Sequence, residues 1–65
     1  MFLVNCKAKA KVGGGEEFQV NFSFHIDCTN TLEVLMVSAA NEGNRICKNQ
    51  GFEFIGTKIK EVVPL

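Results

Sequence analysis

The chain has no tryptophan, no tyrosine and no net charge, its seven basic residues being balanced by seven acidic ones. The aromatic content is six phenylalanines, which bring a large apolar surface and no polar handle. That choice disfavours a carbohydrate-binding or base-stacking surface and favours a core or an apolar interface. The charge balance removes the positive excess on which non-specific nucleic-acid binding relies, so any such binding would need charge gathered on one side of the fold. No apolar run approaches the roughly 20 residues that span a bilayer, and Met1-Phe2-Leu3-Val4 is too short, and lacks the basic leader, for a secretion signal. A cytoplasmic protein with no membrane role is the expectation. The three cysteines, Cys6, Cys28 and Cys47, are odd in number, widely spaced and without a CxxC pair, which argues for reduced thiols rather than a disulfide framework.

The composition that remains is globular, with 46% hydrophobic and 22% charged residues in a single domain spanning 1–65. A chain this short buries only about 60% of its unfolded surface, and its core supplies about 3–5 kcal/mol net. Chains of this size commonly gain further stability from a disulfide, a metal or a partner subunit.

Two stretches alternate with period two. In the first, Phe2 to Val12, one face carries Phe2, Val4, Cys6, Ala8, Ala10 and Val12, and the other carries Leu3, Asn5, Lys7, Lys9 and Lys11. In the second, Glu17 to Asp27, Phe18, Val20, Phe22, Phe24 and Ile26 face one way, and Glu17, Gln19, Asn21, Ser23, His25 and Asp27 the other. Gly13-Gly14-Gly15 lies between them and lets the chain reverse, which predicts an antiparallel hairpin. Matching the apolar faces suggests a register pairing Ala10 with Val20, Ala8 with Phe22, Cys6 with Phe24 and Val4 with Ile26. In that register Lys7, Lys9 and Lys11 face Ser23, Asn21 and Gln19, with no carboxylate directly opposite.

The period then changes. Leu32, Leu35, Met36, Ala39, Gly43, Ile46 and Cys47 recur at three- and four-residue steps, which predicts a helix from about Thr31 to Gln50. Asn30 is its expected N-cap, Glu33 completes a capping box, and Gly51 stands where a C-terminal cap belongs. A third strand follows from about Phe52 to Val63. Phe52 and Phe54 share one parity, and Ile55, Ile59 and Val63 the other, so a bulge at Gly56 is expected to reconcile them. Lys58 and Lys60 would then join Lys7, Lys9 and Lys11 on the outer face. The fold class is α+β: β-β-α-β, a three-stranded sheet of order 2-1-3 with one helix on one face. The second strand would form an edge, and Phe18, Val20, Phe22 and Phe24 would supply an interface for a homo-oligomer.

Candidate chemistry follows from this layout. Lys7, Lys9, Lys11, Lys58 and Lys60, with the adaptable loop Gly13, Gly14 and Gly15, are the candidate binding residues for a protein partner or a small anionic ligand. Lysines at exposed strand positions also serve as plain solubilising groups. The glycine triplet is no phosphate loop, because it lacks the GxxxxGK[ST] pattern and does not lead into a helix. His25, Asp27 and Cys28 are close in sequence, yet Cys28 has the wrong parity for a nucleophilic set with His25. Cys6, His25, Cys28 and Cys47 number enough for zinc, but Cys6 and Cys47 fall on core faces while His25 does not. No catalytic residue, metal or cofactor is expected. The reading is a non-enzymatic binding protein acting as a homo-oligomer, comparable in size to accessory and inhibitor proteins of phages and mobile elements. The alternative is a nucleic-acid-binding module using the same lysines against phosphates.

Overall fold

A three-stranded antiparallel sheet of order β2-β1-β3 carries one helix on one face, in a computed structural model that describes residues 1–27 and 31–65. The elements run β1 (Phe2–Lys11), β2 (Glu17–Ile26), α1 (Leu32–Asn49) and β3 (Glu53–Pro64). This is the α+β arrangement and strand order that the alternation and the change of period predicted.

The register of the hairpin differs from the expectation by two residues. Ala10 pairs with Phe18, Ala8 with Val20, Cys6 with Phe22, Val4 with Phe24 and Phe2 with Ile26. A slip of two leaves every side chain on its own face, so the apolar pattern alone does not distinguish the two registers. The loop geometry does. Gly15 N–H donates to Val12 O at 2.9 Å, closing a tight turn, and Gly13 at its first central position has φ +58°. Glycine adopts that conformation without strain. The consequence is electrostatic: Lys11 now stands directly opposite Glu17, so one lysine does face a carboxylate.

β3 carries two bulges instead of the single one expected at Gly56. Phe54 pairs with Ala10 and Gly56 with Lys9, leaving Ile55 as an extra residue; Ile59 pairs with Cys6 and Glu61 with Asn5, leaving Lys60 as another. Each insertion shifts the parity once. Phe54, Thr57, Ile59 and Val62 therefore align with the inner residues of β1, and Gly56, Lys58, Glu61 and Val63 with the outer ones. Of Ile55, Ile59 and Val63, which share one parity in the sequence, only Ile59 lies inside. Ile55 is 42% exposed, and Val63 stands opposite Leu3 on the outer face.

The helix is capped by Thr31, whose Oγ1 accepts from the Val34 N–H at 3.1 Å. The expected cap, Asn30, lies outside the described residues. At the other end Phe52 N–H donates to Cys47 O at 2.8 Å and Gly51 N–H to Lys48 O at 3.1 Å. These paired bonds form a Schellman motif, which requires the left-handed conformation found at Gly51, φ +79°. α1 buries Leu35, Ala39, Gly43 and Cys47 against the sheet. Gly43 sets the distance of approach: a Cβ there would overlap Thr57 Oγ1 and press on Phe54 Cε1 at 3.2 Å and Phe22 Cζ at 3.3 Å.

Two clusters make the core. Val4, Cys6, Leu35 and Ala39 gather Phe22, Phe24, Ile26 and Ile59 around them; Ala8, Ala10 and Cys47 gather Phe18, Val20, Phe52 and Phe54. Phe18 and Phe52 meet edge to face at 4.9 Å, a favourable aromatic geometry that ties the helix exit to β2. The helix lies mainly over β3, less over β1 and least over β2.

Candidate functional site

The outer face of the sheet has no helix over it, and its side chains stand in rows across the three strands. From one end the rows read His25, Leu3, Val63; then Ser23, Asn5, Glu61; then Asn21, Lys7, Lys58; then Gln19, Lys9, Gly56; then Glu17, Lys11, Glu53. Period-two alternation in β1 and β2 places these residues outside, and the two bulges bring the corresponding residues of β3 into line.

Each row has its own electrostatics. Ser23 Oγ donates to Asn5 Oδ1 at 2.6 Å, and Asn5 Nδ2 donates to Glu61 Oε1 at 2.8 Å, so one hydrogen-bonded chain crosses all three strands. Lys11 sits between Glu17 and Glu53 and pairs with Glu53 at 3.8 Å, which commits its charge locally. Lys9 pairs with Glu17 along a diagonal, also at 3.8 Å, with both side chains about half exposed. Lys7 and Lys58 stand directly opposite one another, and among the described residues neither forms an ion pair. Like charges in that relation destabilise a sheet.

Between these rows lies a shallow depression of about 430 Å³ lined by Lys7, Ala8, Lys9, Gln19, Ile55, Gly56, Thr57 and Lys58. Gly56 leaves the position across from Lys9 without a side chain, and the bulge at Ile55 opens the strand beside it. Of the candidate binding residues, Lys7, Lys9 and Lys58 therefore come together. Lys11 stands a row away with its acidic neighbours, and Lys60 is the unpaired bulge residue nearer the opposite end. The exposed loop of Gly13, Gly14 and Gly15 follows the Lys11 row and does not line the depression. Gln19, Ile55 and Gly56 line the site and are not among the binding residues expected from the sequence, where Gly56 stands only as a bulge. The parity break at Gly56 was the available signal.

The remaining candidates are dispersed. Phe18, Val20, Phe22 and Phe24 lie on the inner face of β2, each partly buried. Cys6 and Cys47 are free, fully buried and in different core clusters, and burial pushes both thiols above the usual cysteine range. Near neutral pH they are protonated and inert. Cys28 lies outside the described residues. His25 shares its row with Leu3 and Val63, two rows from Lys7, roughly 13 Å along the strand. Among the described residues no three His, Cys, Asp or Glu side chains gather as a metal site, and no helix is long and apolar enough to cross a membrane.

No protein-family model matches the chain, and neither does any curated protein or solved structure.

Proposed function

We propose that this is a small non-enzymatic binding protein that takes an anionic group, presented by a protein partner or a small ligand, at Lys7, Lys9 and Lys58. The observation that carries the reading is the direct opposition of Lys7 and Lys58 with no carboxylate to relieve it. An anion seated between them turns a repulsive pair into two charge-assisted hydrogen bonds. The gap at Gly56 gives it room, and Gln19 offers a neutral donor beside it. Cytoplasmic accessory or inhibitor action fits this reading, since occupying a partner's acidic surface needs no chemistry beyond charge and shape.

Support for binding over catalysis comes from the protonated, buried thiols and from the distance between His25 and the lysines. The nucleic-acid alternative uses the same charges, but none of the six phenylalanines stands in the outer rows, so bases would find no aromatic platform.

The test is an NMR titration with inorganic phosphate, an oligoglutamate peptide and a single-stranded oligonucleotide in turn. The amides of Lys7, Lys9 and Gly56 should shift saturably with phosphate or the peptide. Lys58→Glu should weaken that response about tenfold or more, while raising stability by about 0.2–1 kcal/mol as the repulsive pair becomes an ion pair. No response to any anion, or equal affinity in the variant, overturns the reading. A response to the oligonucleotide alone, falling steeply with salt, moves it to nucleic acid.

A further inference from the structure

We propose that a second copy of this chain pairs with the free edge of β2, antiparallel about a two-fold axis at Asn21, joining two sheets into one of six strands. The inference is independent of the anion site.

β2 is ten residues long, with no bulge, no proline and no lysine. It lies at the margin of the sheet, so alternate N–H and C=O groups point away from β1, and such a row is a template for another strand. The helix does little to cover it, because α1 reaches β2 least of the three strands. Val4, Cys6, Ala8 and Ala10 of β1 are fully buried, whereas the five apolar residues of β2 keep part of their surface in water. A neighbouring strand with its own helix would cover what α1 leaves open.

The sequence of β2 selects the register. Self-pairing about a two-fold must set inner residues against inner residues, and only centres at Asn21 or Phe22 retain almost the full strand. Centring on Asn21 sets Phe18 opposite the partner's Phe24 and Val20 opposite the partner's Phe22. It also sets Gln19 opposite the partner's Ser23 and Glu17 opposite the partner's His25. A carboxylate then meets an imidazole at both ends of the interface, and no like charges oppose. Centring on Phe22 would leave Glu17 beyond the paired stretch. Charge complementarity therefore favours Asn21. The axis stands perpendicular to the sheet, so both helices lie on one side and both lysine depressions on the other. The two β1 strands are then three strand spacings apart, about 14 Å.

Sedimentation equilibrium on the full chain, without added anion, tests this directly. The expected mass is twice 7.2 kDa at micromolar concentration. Asn21→Glu separates folding from assembly. Its carboxylate faces Lys7 within the protomer and its own copy across the axis, so folding is favoured and association should weaken about tenfold or more. Hydrogen exchange on the unmodified protein needs no variant: the outward amides of β2 should gain protection as concentration rises, and those of β3 should not. A monomer at about 100 µM, an Asn21→Glu protein as dimeric as the original, or protection confined to β3 would each overturn the proposal.

Discussion

β2 and β3 border the same central strand, and their free edges are built on opposite plans. β3 is interrupted at Ile55 and Lys60, carries Lys58 as well, closes on Pro64 and lies beneath the helix. β2 is unbroken, has neither lysine nor proline, and sits where the helix reaches least. Bulges, lysines and prolines are the devices by which proteins keep a strand edge from recruiting another. The same chain thus deploys all of them on one side of its sheet and none on the other. The proposed pairing through β2 rests on this contrast, which can be attacked from either side.

The largest effect should come from lifting the helix off β3. Gly43→Val puts two methyl groups and a Cβ into the space held by Thr57, Phe54 and Phe22, at a cost of about 3 kcal/mol. Urea denaturation would show it as a lower midpoint. A midpoint near the original would mean that close approach at Gly43 is not what holds α1 over β3.

Deleting Ile55 is the next step. Phe54 then stays inner, Gly56 outer, and every residue beyond keeps its partner on β1, so one of the two bulges of β3 is removed without a change of register. With β3 regular from Glu53 to Ile59, its edge should begin to recruit a further strand, visible as light scattering that climbs with concentration. If the mass is unchanged, the bulge at Ile55 is not what blocks β3, and the bulge at Lys60, the lysines and Pro64 suffice.

Thr57→Val probes the same strand more gently. Thr57 Oγ1 is buried without a hydrogen-bond partner, and a buried hydroxyl in that position costs stability that an apolar isostere recovers. The variant should be about 1 kcal/mol more stable by the same urea measurement. A loss of stability would show that the hydroxyl is satisfied by water in solution.

In β1, β2 and α1 the faces were legible in the sequence; the faces of β3 and the alignments between strands were not. Phe18, Val20, Phe22, Phe24 and Ile26 announce their side of β2 by alternation, and the four-residue steps from Leu35 to Cys47 announce the buried stripe of α1. Both signals are local. The pairing of Lys11 with Glu17 depends on how the chain turns at Gly13, and two registers differing by two residues satisfy the same pattern equally. The bulge near Gly56 left a visible break between Phe54 and Ile59. The one at Lys60 left none, because Lys58-Ile59-Lys60 alternates without a fault and the shift is seen only in the pairing of Glu61 with Asn5. Asn30 and Thr31 are adjacent capping residues and intrinsic preference ranks Asn ahead of Thr, so composition alone points away from the cap that forms, Thr31. For the site, the lysines could be counted but their convergence could not. Which of five gather is decided by the bulges, and these were half hidden.

The inner residues of β1 taper from Val4 through Cys6 to Ala8 and Ala10, all of them inaccessible to water. They form a wedge on which the helix rests, thick at one end and thin at the other. Ala8 packs in one cluster with Cys47 and Phe18 and has almost no exposed surface, so a methyl added there must displace a neighbour, and overpacking of this kind costs about 1–3 kcal/mol.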